Sequence, residues 1–224
     1  MNGLNGKDKT MKIHDITATL SQSLPFYSED DPFFVEKTLQ LKNGDMCDLS
    51  HIKMTSHTGT HADMPLHFIE SGENCEGIQL DYFYGKVKVM RINLETHRNI
   101  TKEDLTPHGI NQGDRILIST GQSIEMDKPL IKDFIALTPE AAEYLAEKKI
   151  KTLGFDYISV DIYNSPDFPV HKTLLGNGIV IIEGLVLHNI PPGEYTLSAL
   201  PLKFEYGDGS PVRAILIEEK ERFK

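Results

Sequence analysis

Ile179-Val180-Ile181-Ile182-Glu183-Gly184-Leu185-Val186-Leu187 is an almost continuously apolar run of the chain. Its length and its β-branched residues predict a strand of a β-sheet. Alternating or apolar patterns on both sides of this run predict further strands. They cover residues 12–20, 35–42, 48–55, 86–94, 114–120, 152–156, 195–206 and 212–218.

Two segments are predicted to be helical. Thr138 is a typical N-cap, Pro139 suits the first helical position and Glu140 the first turn, so a helix is expected to run from there to about Lys149. Residues 168–175 favour a second, short helix. Many strands and few helices predict a single mixed α/β domain rich in β-strands over residues 11–224, after a disordered lead or cloning remnant at residues 1–10.

Length, composition and charge limit the class of protein. The 224 residues carry a formal net charge of −10, which argues against nucleic acid as a partner because phosphates require a basic face. No apolar run approaches the roughly 20 residues of a membrane span, and the polar start does not resemble a signal peptide. Cys47 and Cys75 form no Cys-x-x-Cys pair. We therefore expect a cytoplasmic protein without membrane contact.

Residue types that bind metals are densest in His57-Thr58-Gly59-Thr60-His61-Ala62-Asp63-Met64-Pro65-Leu66-His67-Phe68. In an extended chain, alternate side chains share a face, so His57, His61, Asp63 and His67 would point the same way. The threonines, glycine and proline of this stretch disfavour a helix. A lone histidine commonly has a structural role, but three of the nine histidines lie within these eleven positions around an aspartate. A strand running into a metal-binding loop is predicted.

Glu183 is the one charged residue of the apolar run. An unpaired carboxylate there would cost roughly several kcal/mol, so it either faces the solvent side of its sheet or is compensated by a cation, hydrogen bonds or a metal. Gly184 beside it is typical of a close approach by backbone or ligand. His171 lies in the predicted short helix just upstream. Spacing alone leaves a pairing of His171 with Glu183 open.

The histidine stretch, written His57-x-Gly59-Thr60-His61-x-Asp63-x-Pro65-x-His67-Phe68, resembles the signature of the Putative cyclase family. That family includes bacterial kynurenine formamidases and isatin hydrolases. Further segments resemble the family in the same order, and the resemblance covers residues 13–217. These segments are residues 137–142, 159–161, 174–179, 183–185 and 200–214.

The resemblance implies one metal centre that holds one or two ions. Its ligands would be His57, His61, Asp63, His171 and Glu183. In two-zinc members the two carboxylates would bridge the ions. His67 resembles the family's catalytic histidine, near the metal-bound water and not primarily a ligand. The family also implies a compact fold of the swivelling β/β/α type and a homodimer or homotetramer.

One early segment departs from the family pattern. Where the family often has a Trp-Pro-Gly-Asp-Pro-like stretch, this chain has Pro25-Phe26-Tyr27-Ser28-Glu29-Asp30-Asp31-Pro32, and it contains no tryptophan. Tyr27 stands at the position of the family's tryptophan. The metal chemistry is unaffected by this difference, and the choice of substrate stays open.

The chemistry of these residues suits hydrolysis. Imidazole and carboxylate ligands suit Zn²⁺ first and Mn²⁺ second, and a bound cation lowers the pKa of its water from about 15.7 to about 7. His67 could carry the water's proton to the departing nitrogen. Ser159 and Asp161 would either orient a metal-bound imidazole or stabilise a turn.

The function predicted from these features is that of a metal-dependent hydrolase that cleaves an amide-type bond of a small molecule. Its substrate would be an aryl formamide such as N-formylkynurenine, or a cyclic amide. A metal-dependent cyclase or dehydratase, and a non-catalytic metal-binding member of the family, are the alternatives.

Overall fold

A computed structural model of the protein describes residues 9–27, 33–94 and 96–221. Nine of its eleven strands form one mixed sheet in the order β1-β11-β9-β5-β6-β7-β8-β4-β10, and β2 pairs only with β3. The pairs β5–β6, β6–β7 and β7–β8 are parallel, and the others are antiparallel. Numbered along the chain, the strands are β1 (Lys9–Asp15), β2 (Phe34–Leu39), β3 (Leu49–Lys53), β4 (His61–Asp63), β5 (Tyr84–Arg91), β6 (Arg115–Ser119), β7 (Thr152–Phe155), β8 (Val180–Glu183), β9 (Gly193–Ser198), β10 (Gly209–Pro211) and β11 (Ile215–Glu221).

Three α-helices accompany the sheet within the described residues: α1 (Lys102–Leu105), α2 (Pro139–Glu147) and α3 (Pro169–Gly176). The two predicted helices, α2 and α3, are confirmed. Thr138 caps α2 as expected, because its hydroxyl accepts the N–H of Ala141 at 3.3 Å. The predicted mixed α/β fold rich in strands is also confirmed.

Strand β8 is buried on both faces of the sheet. Val180 and Ile182 belong to one buried apolar cluster, and Ile181 belongs to the other. This two-sided burial explains why the run shows no alternation of apolar and polar residues. Side chains two apart share a face, so Glu183 points to the same side as Ile181, where α3 packs on the sheet.

Several sequence-based bounds are corrected by the structure. Strand β1 ends at Asp15, β9 ends at Ser198 and β11 begins at Ile215, so the predicted segments 12–20, 195–206 and 212–218 are only partly strand. Lys9 and Thr10 belong to β1, which shortens the lead predicted at residues 1–10. Residues 1–8 of that lead lie outside the described residues.

The β2–β3 hairpin stands apart from the main sheet. Val35 pairs with Ile52 and Leu39 with Leu49, and all four side chains are exposed. The homodimer or homotetramer expected from the resemblance stays a prediction. Among the described residues, none of the helices has the length and apolarity needed to cross a membrane. The cytoplasmic location also stays a prediction.

Gly184 directly follows β8 in a conformation that a side chain would disturb. Its φ is +67°, and a Cβ there would collide with the carbonyl oxygen of Gly59. We expect Gly184→Ala to lower the free energy of unfolding by about 2–4 kcal/mol, measured by urea denaturation. Gly109→Ala is the control, since Gly109 has a φ of +59° in open space and should lose only about 1 kcal/mol. Equal losses in both variants would contradict the proposed collision.

Candidate metal centre

The register of two neighbouring strands brings three candidate ligands together. His61 of β4 lies opposite Glu183 of β8, and Asp63 lies opposite Ile181. His61 Nε2 is 3.5 Å from Glu183 Oε2 and 3.2 Å from Asp63 Oδ1. All three side chains are almost fully buried. A pairing of distant strands therefore brings three of the five predicted ligands together on one face of the sheet.

His57 reaches the same point through a turn, and not through the predicted extended strand. Residues 56–60 form turns and bends, and Gly59 has a φ of +65° that favours glycine. The Thr60 hydroxyl fixes this turn by donating to the carbonyl of Gly184 at 2.6 Å. His57 Nδ1 lies 2.8 Å from Asp63 Oδ1. The predicted two-residue alternation was thus correct only for His61 and Asp63.

Helix α3 supplies the third imidazole. The Asp161 carboxylate accepts the backbone N–H groups of Val170 and His171, at 3.1 and 3.0 Å, and so caps the helix. The same carboxylate lies 2.7 Å from His171 Nδ1. Asp161 therefore has both roles that the sequence left open, because it stabilises a turn and orients an imidazole. The outcome is that His171 Nε2 lies 3.2 Å from Glu183 Oε1 and 3.4 Å from Asp63 Oδ2.

The cluster strongly favours a positive charge at its centre. Burial disfavours a charged His171, but the carboxylates of Asp161, Asp63 and Glu183 outweigh it and raise the pKa of His171 well above its ordinary value. Burial acts on His57 in the same way, and Asp208 and Asp63 outweigh it there to raise the pKa of His57 to about 10. A proton or a metal cation can satisfy this demand for positive charge.

Two features of the buried groups fit a metal cation. His61 Nδ1 lies 3.0 Å from the carbonyl oxygen of Gly59, which only accepts, so Nδ1 carries the proton and the Nε2 of a neutral ring faces the carboxylates with a lone pair. Asp63 Oδ2 is buried and has no hydrogen-bond partner among the described residues. An unpaired buried acceptor costs about 1–3 kcal/mol, and a coordinated cation would remove that cost.

Both carboxylates face two sets of imidazoles. Asp63 Oδ1 faces His57 and His61, whereas its Oδ2 faces His171. Glu183 Oε2 faces His61, and its Oε1 faces His171. The ligand atoms of the five predicted residues form two groups within which every distance is at most 4.8 Å. They are His57, His61 and Asp63 in one group, and Asp63, His171 and Glu183 in the other.

His67 lies beside this cluster and not inside it. It ends a 3-10 turn, Pro65–His67, and its ring stacks on that of His57 with centroids 3.8 Å apart. Burial, together with the charges of His57 and His171, lowers the pKa of His67 to about 4. Its imidazole is therefore neutral at neutral pH.

Asp208 is a member of the site that sequence reasoning missed. It lies in the loop before β10, and its Oδ2 is 3.1 Å from His57 Nε2. It also lies 3.7 Å from His67 Nδ1. The sequence signal for this loop is the pair of glycines, Gly207 and Gly209, on either side of Asp208. The structure explains Gly209, because a Cβ there would collide with the His57 ring. Nothing in the spacing of Asp208 connects it to His57, which lies 151 positions earlier in the chain.

A cavity of about 540 Å³ opens onto the cluster. Its apolar walls are formed by Phe26, Tyr27, Phe68, Ile158 and Phe168. Phe168 precedes α3 with a φ of +46°, which is unusual for a bulky residue, and its ring packs 5.3 Å from that of Phe68. The Tyr27 hydroxyl accepts the backbone N–H of Asn164 at 2.9 Å. Residues 28–32 of the aromatic and acidic loop lie outside the described residues.

Comparison with known proteins identifies the family of this chain. Residues 14–162 match the family model "Putative cyclase". The chain belongs to this family. A kynurenine formamidase of Erythrobacter litoralis is 36% identical over 207 residues, which cover 92% of this chain and 94% of the relative.

Two solved structures resemble the fold closely. One is described as a predicted metal-dependent hydrolase from Bacillus stearothermophilus and has a TM-score of 0.81 at 34% identity, covering 93% of this chain and 98% of that one. The other is isatin hydrolase A from Labrenzia aggregata, with a TM-score of 0.76 at 25% identity, covering 92% of this chain and 93% of that one. The similarity of fold therefore covers more than nine-tenths of the chain.

A divalent cation should stabilise the fold. Zn²⁺ added to chelator-treated protein at 100 times its dissociation constant is expected to raise the free energy of unfolding by about 2.7 kcal/mol, seen as a higher Tm. His61→Ala should abolish this increase because it removes a buried nitrogen from the cluster. His51→Ala on β3 is the control and should keep the increase, since His51 is exposed. An equal increase in both variants would contradict the site.

Proposed function

We propose that this protein is a metal-dependent hydrolase that cleaves an amide-type C–N bond of a small molecule. The observation that carries the proposal is the buried cluster of three imidazoles and two carboxylates. One oxygen of the Asp63 carboxylate has no hydrogen-bond partner among the described residues. The similarity to kynurenine formamidases and to an isatin hydrolase supports an aryl formamide, such as N-formylkynurenine, or a cyclic amide as the substrate.

The donor set supports Zn²⁺ first and Mn²⁺ second, because imidazole and carboxylate suit both ions. We propose that His57, His61 and Asp63 hold one ion. His171 and Glu183 would hold a second together with Asp63, because both carboxylates have one oxygen facing each group. When bound, such an ion activates water at neutral pH and polarises a carbonyl.

His67 is the proposed proton carrier. Its low pKa leaves a neutral ring with a nitrogen that can accept a proton from the attacking water. Stacking on His57 places the ring at the edge of the cluster and inside the cavity. From there it would return the proton to the departing nitrogen, which must leave as a neutral amine.

The aromatic walls of the cavity support a flat substrate. Phe68 and Phe168 stand beside His171, with ring centroids 4.9 and 6.0 Å from its imidazole. A flat aryl ring between such walls would be held with its carbonyl directed at the cluster, and water would be kept away from the remaining surface of the substrate.

Two alternatives use the same site. A cyclase or dehydratase would polarise a carbonyl without net hydrolysis, and a non-catalytic member would bind metal without turnover. A panel of formamides, lactams and arylamides, assayed with Zn²⁺ or Mn²⁺ and analysed by mass spectrometry, separates the three. The proposal requires products that have gained one water, and products without that gain would refute it.

His67→Ala should lower kcat by about 10²- to 10⁴-fold while leaving the bound metal unchanged, because it removes a proton carrier but no proposed ligand. Metal content and turnover are measured on the same preparation. His188→Ala is the control, since His188 is exposed and outside the cavity. Full activity in His67→Ala would show that the assigned role is wrong.

Phe168→Leu should raise KM for an aryl formamide by about 2- to 10-fold, because a flat wall of the cavity is lost. KM for an aliphatic formamide should change much less. Tyr84→Leu, which alters an exposed aromatic residue of β5, should change neither value. Equal changes of KM for both substrates would contradict an aryl-binding role of Phe168.

A further inference from the structure

We propose that Asp208 is a positioning residue of the metal centre, whose carboxylate holds the outer nitrogen of His57 so that the inner nitrogen faces the metal. The inference rests on the proposed metal centre, and it adds a residue from a separate part of the chain. Asp208 contacts no proposed ion itself and acts through His57.

The two nitrogens of His57 face opposite sides. Nδ1 lies 2.8 Å from Asp63 Oδ1 inside the cluster, and Nε2 lies 3.1 Å from Asp208 Oδ2 on the outside. An ionised carboxylate only accepts hydrogen bonds, and the other oxygen of this one already accepts the hydroxyl of Ser56. Nε2 must therefore carry a proton, and a neutral ring then has its lone pair on Nδ1, directed inward.

The other two imidazoles of the cluster are arranged in the same way. His61 Nδ1 lies against the carbonyl oxygen of Gly59, and His171 Nδ1 lies against the carboxylate of Asp161. In each ring the nitrogen that faces Asp63 or Glu183 is the other one. Acceptors that hold the outer nitrogen of a metal-binding histidine set its tautomer and orientation. Asp208 completes this pattern for the third ring.

Asp208 is itself held in place. Its Oδ1 accepts the hydroxyl of Ser56 at 2.8 Å, and its carbonyl oxygen accepts the N–H of Met64 at 2.9 Å. The next residue, Gly209, pairs with Asp63 in the sheet and leaves room for the His57 ring against its backbone. The carboxylate is thus attached to the turn that carries His57 and to the strand that carries His61 and Asp63.

The position of Asp208 also links the cluster to His67. Asp208 Oδ2 lies 3.7 Å from His67 Nδ1, and the rings of His57 and His67 stack. A shift of the His57 ring would therefore move the proposed proton carrier as well. Loss of Asp208 should consequently affect both metal affinity and kcat, with a smaller effect on KM.

One competing arrangement uses the same atoms. His57, His67 and Asp208 offer three ligand atoms within 4.8 Å of one another, and so could hold an ion directly. In that case His57 Nε2 would be a ligand and could not donate to Asp208. The two arrangements differ in the number of ions bound per chain, which can be counted.

The test compares Asp208→Asn and Asp208→Ala with the unchanged chain. Chelator-treated protein is titrated with Zn²⁺ in competition with a chromogenic chelator, and the number of ions per chain is measured separately. We expect an affinity about 10- to 100-fold weaker in Asp208→Ala, a smaller loss in Asp208→Asn, and an unchanged number of ions. Co²⁺ absorption spectra of both variants should shift, because the His57 ring is no longer held.

Asp133→Asn is the matched control. Asp133 also forms a carboxylate–histidine pair, with His97 at 3.3 Å, but it is 94% exposed. The Asp133→Asn substitution removes one negative charge, as Asp208→Asn does, and should leave Zn²⁺ affinity unchanged. If Asp208→Ala fails to fold, Ser56→Ala is used instead. It keeps the Asp208 carboxylate but removes the hydroxyl that holds it, and should weaken Zn²⁺ binding about 2- to 5-fold.

Different failures point to different conclusions. If the unchanged chain binds no Zn²⁺, the proposed metal centre itself is wrong. If it binds Zn²⁺ and the Asp208 variants bind it equally well, only the positioning role is overturned. Loss of one ion per chain in the variants would also overturn it, because Asp208 would then be a ligand.

Discussion

The antiparallel pairing of β4 with β8 is the contact on which the whole site depends. It sets His61 opposite Glu183 and Asp63 opposite Ile181, all with side chains on one face of the sheet. Because side chains alternate along a strand, a slip of one residue would turn His61 and Asp63 away from Glu183. The turn that carries His57, helix α3 with His171, and the loop with Asp208 then all approach from the same side.

Electrostatics explains why so polar a cluster is tolerated in an apolar environment. β8 is buried on both faces, and three carboxylates, those of Asp63, Asp161 and Glu183, converge near its end. Such a concentration of buried negative charge requires a compensating cation. The same demand raises the pKa values of His57 and His171, whereas His67, just outside, has a lowered one. A cluster that favours positive charge and a neutral imidazole beside it thus follow from burial and distance.

The regular elements were predictable because their signals are local. A capping threonine followed by proline gave α2, and an uninterrupted apolar run gave β8. β10 was missed because Gly209-Ser210-Pro211 contains no strand-favouring residue and pairs with β4 only through long-range contacts. The turn at His57 was missed for a related reason. Gly59 permits an extended chain and a left-handed conformation equally well, and the long-range contact between Thr60 and Gly184 selects the left-handed one.

The sequence by itself determined that the chemistry is that of metal binding. The residue types that bind a metal are concentrated in residues 57–68, and Glu183 is a carboxylate that an apolar strand could not tolerate without a partner. The resemblance of the sequence to a family named the remaining partner, His171. Only the tertiary structure decided which nitrogen of each ring faces inward, that Asp161 and Asp208 hold the outer nitrogens, and that His67 lies beside the cluster. Those properties depend on contacts between residues far apart in the chain, about which local pattern carries no information.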